Sequence, residues 1–117
     1  MTSPEFADTA MTEPEIDDEG YLIHPENWSP EIAVDLASSE EIDLSETHWI
    51  VIDFIRRYFD DHQVAPDARH VMSYLANLYR MDKKAAKSLL FDLFPYGYVR
   101  QACKISGMRR PRAWSTG

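Results

Sequence analysis

The stretch SETHWIVIDFIRRYF, residues 45–59, has the pattern of a helix that belongs to the core. Ser45 can cap a helix through its hydroxyl, and Glu46 places a carboxylate at the positive helix end. Apolar side chains then recur at spacings of three and four and form one stripe: Trp49, Ile52, Ile55 and Phe59. This pattern predicts a helix that packs its stripe into a core.

Two further helices are predicted directly downstream. Pro66 and Asp67 begin the first, and Asp82 caps the second, which Pro95 stops. Their apolar residues again follow helical spacing, with Val71, Leu75 and Leu78 in the first and Ala86, Leu89, Leu90 and Leu93 in the second. A last short helix is expected from Tyr98 to about Ile105, where Gly107 can close it in the left-handed conformation.

Upstream, Ser29, Pro30 and Glu31 indicate another helix start, and a helix from Pro30 to about Ala37 is expected. Before it, residues 20–24 (GYLIH) have the composition of a short strand that suits a small β-ribbon. The sequence therefore predicts one predominantly helical domain over residues 19–106, preceded by a disordered acidic tail over 1–18 and followed by a flexible basic arm over 107–117.

Charge is distributed unevenly along the 117 residues, whose net charge is −8. Residues 1–61 hold 17 acidic side chains and two arginines, whereas residues 62–117 hold three acidic and ten basic side chains. Such asymmetry is compatible with docking of the basic half onto an anionic partner, or simply with solvated charges and an acidic tail. No apolar run is long enough to cross a bilayer, and the acidic start is unlike a signal peptide, so a cytoplasmic protein without membrane contact is expected.

Few residues could carry chemistry. The chain lacks a glycine-rich phosphate loop, paired cysteines and an HExxH motif, so neither a metal nor a cofactor is predicted. The single cysteine, Cys103, excludes an internal disulfide and leaves one thiol. Arg100 and Lys104 are close in sequence and favour its thiolate, whereas a position in the last turn of a helix disfavours it.

The C-terminal part of the chain resembles the DsrC/TusE family of sulfur-relay proteins. The resemblance rests on Leu93-Phe94-Pro95, Gly97, the run from Gln101 to Met108 (QACKISGM), and Arg110-Pro111. Weaker matches upstream extend it from about Glu19 to Trp114, including Gly20-Tyr21-Leu22, Trp28-Ser29 and His48-Trp49.

This resemblance implies an α+β, predominantly α, fold: an orthogonal bundle of about five helices with a small N-terminal β-ribbon and a flexible C-terminal arm. It also implies a sulfurtransferase-type carrier that passes cysteine-bound sulfur between protein partners, in tRNA thiolation or in sulfur metabolism. Relatives usually place a cysteine near the arm tip, where this chain has Trp114. Cys103 matches a second cysteine of some relatives and is the one persulfide acceptor that the sequence offers, or else an inert relic.

Two other functions remain open at this stage. A non-catalytic, regulatory member of the family would dock onto a partner through its basic C-terminal segment, with Arg100, Lys104, Arg109, Arg110, Arg112 and Trp114 as contact residues. Alternatively, the helices at residues 67–79 and 83–93 could form a helix-turn-helix that binds DNA through Lys83, Lys84 and Lys87. The overall acidity argues against this nucleic-acid interpretation.

Overall fold

The computed structural model describes residues 15–109, and this part of the chain forms a helical bundle. An isolated antiparallel bridge between Ile16 and Leu22 forms the N-terminal ribbon. A 3₁₀ turn at Pro25–Asn27 follows it. Five helices come next: α1 (Pro30–Ser39), α2 (Glu46–His62), α3 (Ala68–Tyr79), α4 (Lys83–Leu93) and α5 (Tyr98–Cys103), the last of which is π-helical.

The four long helices begin at the caps that the sequence predicts. The side chains of Ser29, Ser45, Asp67 and Asp82 each accept a hydrogen bond from a backbone N–H in the first turn of α1, α2, α3 and α4, respectively. These acceptors satisfy N–H groups that have no partner within the helix. The predicted helix starts are thereby confirmed, as is the predicted fold class of a predominantly helical domain with a small N-terminal ribbon.

The core is built mainly from small and branched apolar side chains of the helices, together with Phe94 and Tyr98. On α2, Val51, Ile52 and Ile55 are buried, whereas Trp49 and Phe59 are only partly buried against the core cluster. The buried stripe of α2 is therefore rotated towards Val51 relative to the predicted one. Leu78, in the last turn of α3, is exposed.

Residues on both sides of the predicted domain, 19–106, take part in the described structure. Ile16, which lies within the segment predicted as a tail, forms the antiparallel bridge with Leu22. At the other end Gly107 and Met108 are buried, although they were assigned to the arm, because Met108 joins the core cluster. The rest of the predicted tail and arm, residues 1–14 and 110–117, lies outside the described residues. Within the described part, no helix is long and apolar enough to cross a membrane.

Candidate functional site around Cys103

The helix α5 is set apart from the others by its geometry. It starts after Gly97, which has φ +115° and ψ 151°, a backbone conformation that is essentially restricted to glycine. Its π-helical winding differs from the α-helical winding of α1 to α4, and π-helical segments often occur at functional sites. Cys103 is the last residue of α5, as predicted for the final turn of this helix.

The Cys103 thiol is completely buried. Burial raises the pKa of this thiol to about 12, although a hydrogen bond with the Tyr98 side chain acts in the opposite direction. Burial also raises the pKa of Tyr98, whose hydroxyl donates a 2.5 Å hydrogen bond to the carbonyl oxygen of Pro66. In this closed arrangement the thiol is protonated at neutral pH, and protonated thiols are poor nucleophiles.

The two basic residues close to Cys103 in the sequence, Arg100 and Lys104, do not stabilise its thiolate. Lys104 is nearly buried, and its Nζ lies 2.8 Å from Oε2 of Glu40. Arg100 is exposed. Neither contributes to the pKa of the thiol. The sequence left open whether the thiol or the thiolate is favoured, and burial favours the thiol.

Glu40 is the centre of a polar cluster that joins the end of α1 to α5. Its carboxylate accepts hydrogen bonds from Lys104 at 2.8 Å and from Gln101 Nε2 at 3.0 Å. Burial acts to raise the pKa of Glu40, but the two hydrogen bonds outweigh it and lower the pKa. The Lys104 ammonium also lies 5.2 Å from the centre of the Tyr21 ring, which connects the cluster to the N-terminal ribbon.

We expect the Lys104→Met substitution to destabilise the protein by about 2 kcal/mol, because it leaves the Glu40 carboxylate largely desolvated without its cation. The penalty is smaller than for a fully buried pair, since both side chains retain some solvent contact. The pKa of Glu40 is lowered in the folded state, so the ionised Glu40 carboxylate stabilises the wild-type fold above the ordinary glutamate pKa. This stabilisation is lost as the pH falls below that value.

The interaction free energy between Glu40 and Lys104 is measured by urea unfolding of the variants of a double-mutant cycle. The double variant with Glu40→Gln and Lys104→Met should lose less stability than the sum of the two single variants. Strict additivity of the two single effects would show that the pair contributes nothing.

Residues 105–108, which we call the C-terminal latch, close the C-terminal end of the site through a second set of contacts. The indole Nε1 of Trp28 donates a 2.9 Å hydrogen bond to the carbonyl oxygen of Ile105. Arg56 donates to the carbonyl oxygens of Ser106, at 3.1 Å, and of Pro25, at 3.2 Å, while its guanidinium lies over the Trp28 ring. The N–H of Met108 donates to the carbonyl oxygen of Cys103 at 3.0 Å. The latch therefore folds back over the end of α5, where the thiol lies.

His48 links the start of α2 to the end of α4 through hydrogen bonds of its ring. Its Nδ1 accepts a 3.0 Å hydrogen bond from the Ser45 N–H, and its Nε2 donates to the carbonyl oxygen of Leu93 at 2.9 Å. The ring also packs edge-on against Phe94. One ring nitrogen thus takes part in capping α2, and the other attaches the end of α4 to α2.

The remaining predicted contact residues are only partly visible. Arg109 is exposed at the end of the described chain. Arg110, Arg112 and Trp114 lie outside the described residues. The structure brings Lys104 and Gln101 together with Glu40. It also places Arg100 and Lys104 in the lining of one pocket, which Glu19, Tyr21, Tyr96, Gly97 and Val99 complete.

Sequence reasoning missed three residues of this region: Glu40, Trp28 and Arg56. Glu40 and Lys104 are 64 positions apart, and Trp28 and Ile105 are 77 positions apart. Local periodicity and capping patterns contain no information on such pairings. Gly107 was predicted only as a helix terminator, and its contact with Trp28 was not foreseen.

Fold and site together define a small helical domain with a single buried thiol beneath the point where its C-terminal segment emerges. The family model described as "DsrC like protein" matches residues 8–113. The chain therefore belongs to the DsrC-like family of sulfur-relay proteins.

Curated relatives agree with this assignment. The chain is 39% identical to Sulfurtransferase TusE of Sodalis glossinidius over 100 residues, which cover 86% of this chain and 92% of the relative. It is 37% identical to Sulfurtransferase TusE of Escherichia coli strain K12 over 97 residues, which cover 83% of this chain and 88% of the relative.

Solved structures show the same fold. The oxidised γ-subunit of the dissimilatory sulfite reductase (DsrC) from Archaeoglobus fulgidus matches with a TM-score of 0.77 and 29% identity, over 87% of this chain and 92% of that one. DsrC of Allochromatium vinosum matches with a TM-score of 0.74 and 32% identity, over 87% of this chain and 90% of that one. The predicted family and fold are thus confirmed by both sequence and structure.

Proposed function

We propose that this protein relays sulfur between protein partners and that Cys103 is the residue that accepts it. The observation that carries this proposal is the position of the chain's single cysteine, at the end of α5 and directly beneath the C-terminal latch. Membership in a sulfurtransferase-type family supplies the class of reaction. A reducing compartment keeps a lone thiol free, so we place the relay in the cytoplasm.

The transfer is an exchange between two sulfur atoms and needs no oxidant. The Cys103 thiolate attacks the outer sulfur of a persulfide on the donor protein, and a new S–S bond forms on Cys103. The S–S bond of the donor breaks, and the donor cysteine leaves as a thiolate. The proton lost by Cys103 passes to solvent or to the departing thiolate.

Acceptance requires the latch to open, because the closed site keeps the thiol buried and protonated. The contacts that must break are few: the Trp28 and Arg56 hydrogen bonds to residues 105 and 106, and the Met108 N–H bond to Cys103. A local opening of this size costs less than global unfolding. Docking of a donor protein on the open form would shift the population towards it.

We expect the full chain to gain the mass of one sulfur atom when it is incubated with a low-molecular-weight persulfide, because only the Cys103 thiolate can accept sulfane sulfur. Intact-mass spectrometry before and after reduction measures the gain. The Cys103→Ser variant is the matched control and should gain nothing. Equal gain by the two proteins, or no gain by the wild type over several hours, would refute Cys103 as the acceptor.

A further inference from the structure

Ser106, in the C-terminal latch, has a buried hydroxyl without a hydrogen-bond partner. Its side chain is fully buried. Within residues 15–109, no other buried side-chain nitrogen or oxygen lacks a partner. An unpaired buried hydroxyl lowers the stability of a fold, and the few that native proteins keep call for a reason. A hydrogen bond that forms in another state of the protein is such a reason.

The winding of the chain places this hydroxyl beside Cys103. The N–H of Ser106 donates to the carbonyl oxygen of Ala102 at 3.0 Å, so the helical winding continues beyond α5 to Ser106. Side chains three residues apart in a helix are neighbours, with Cβ atoms about 5–6 Å apart. Arg56 fixes the Ser106 backbone through a 3.1 Å hydrogen bond to its carbonyl oxygen. The hydroxyl and the thiol therefore belong to the same face of one helical turn.

Tyr98, the other polar neighbour of the thiol, cannot donate to a sulfur anion in the closed site. Its single hydroxyl proton is donated to the carbonyl oxygen of Pro66. The Tyr98 oxygen can accept a hydrogen bond from the protonated Cys103 thiol, but it has no second proton to give. A negative charge on the sulfur of Cys103 would therefore have the Ser106 hydroxyl as its donor.

The cargo of the proposed relay brings such a charge into the site. The outer S–H of a persulfide is more acidic than the S–H of a thiol, because the adjacent sulfur stabilises its anion. A charged sulfur in a buried site is costly unless it accepts a hydrogen bond. The Ser106 hydroxyl can donate this bond without losing another one, since it has no partner in the unloaded protein.

We propose that Ser106 binds the transferred sulfur: its hydroxyl donates a hydrogen bond to the persulfide anion on Cys103 and holds the outer sulfur beneath the latch. This inference rests on the proposed function, because it assigns the group that holds sulfur at the same acceptor. The serine forms no covalent bond and transfers no proton. Its hydroxyl is unpaired in the unloaded protein and paired in the loaded one.

The acidity of the bound persulfide tests this inference in the full chain. In urea, Cys103 is converted to a mixed disulfide with an aromatic thiol. Hydrosulfide then attacks the Cys103 sulfur, the aromatic thiolate leaves, and the persulfide-bearing chain is refolded. The near-ultraviolet absorption of the persulfide anion is followed against pH in the wild type and in Ser106→Ala. We expect a pH midpoint about one unit higher in Ser106→Ala, because the hydrogen bond favours the charged form.

The matched control is Met108→Leu, which changes another buried residue of the latch at nearly constant volume and keeps the serine hydroxyl. Its persulfide should titrate as in the wild type. Without sulfur, Ser106→Ala should unfold at the same or a higher urea concentration than the wild type, because it removes an unpaired polar group.

Three results would overturn the assignment of Ser106: an unchanged persulfide midpoint in Ser106→Ala, an equal rise in Met108→Leu, or a lower urea midpoint of unloaded Ser106→Ala. The last result would show that the hydroxyl already has a structural partner without sulfur. Because the persulfide is installed chemically on the unfolded chain, none of these results depends on whether the folded protein accepts sulfur from a donor. Failure of this inference and failure of the proposed relay are therefore distinguishable.

Discussion

The Gly107→Ala substitution should destabilise the protein by at least about 3 kcal/mol, because two independent penalties coincide at this residue. The backbone of Gly107 has φ +84°, which disfavours any residue with a side chain. In addition, an alanine Cβ would lie 2.4 to 2.8 Å from three atoms of Trp28. Trp28 would have to move, which would break its hydrogen bond to Ile105 and its contact with Arg56.

Gly97 provides the matched control for the backbone penalty alone. Its φ is +115°, but a Cβ added there meets no atom within 4 Å. Gly97→Ala should therefore cost only the strain, about 1–3 kcal/mol, while Gly107→Ala costs distinctly more. Urea unfolding followed by circular dichroism measures both. Equal losses in the two variants would show that Trp28 does not hold the latch as described.

The Cys103 thiol should react with an alkylating reagent at pH 8 at least about 10³-fold more slowly in the folded protein than in urea. The factor follows from the pKa alone, because a rise from the ordinary thiol pKa of 9.0 to about 12 reduces the thiolate fraction by this amount. Exclusion of the reagent from a fully buried site slows the reaction further.

An exposed thiol in the same fold calibrates this rate. Asp92→Cys in a Cys103→Ala background presents one cysteine on the exposed face of α4. It should react in the folded protein nearly as fast as in urea. If native Cys103 reacted as fast as this control, the thiol would be open in solution and the closed site would not be its dominant state.

The same burial predicts a pH dependence of stability. Because the pKa of Cys103 is raised in the folded state, the protonated thiol stabilises the fold below the unfolded pKa of about 9, and this contribution is lost as the pH rises towards 12. Wild type should lose up to about 1.4 kcal/mol per pH unit more than Cys103→Ala in this range. The stabilities of the wild type and of Cys103→Ala are best compared between pH 9 and 10. Above this range Tyr98, whose pKa is raised from 10.0, also contributes to the pH dependence of stability.

The positions of the helices could be predicted because their signals are local. Each of the four long helices starts at a side-chain cap that accepts from an N–H three residues later, and such a pattern is contained in four or five consecutive residues. The contacts at the two ends of the described chain could not be predicted in this way. Ile16 and Met108 join the fold through partners elsewhere in the chain, which composition alone does not reveal.

The position of Cys103 at the end of a short helix could be predicted from the sequence, but the protonation state of its thiol could not. The sequence indicated Cys103 and its place at the end of a short helix, because it is the only thiol and Gly107 follows it. It left the protonation of the thiol undecided, since Arg100 and Lys104 suggested a nearby positive charge. In the structure Lys104 pairs with Glu40, the residue that follows α1, and burial raises the pKa of the Cys103 thiol. Both effects arise from tertiary packing.

Release of sulfur from Cys103 is the step that distinguishes a sulfur relay from a thiol that only accepts sulfur. Full-length protein loaded with sulfane sulfur is freed of donor and incubated with an acceptor thiol, and intact masses of protein and acceptor are followed over time. We predict that the protein loses one sulfur atom as the acceptor gains one, and that Cys103→Ser neither loads nor releases sulfur. A wild-type protein that never loads, or that retains its sulfur in the presence of excess acceptor, would contradict the relay.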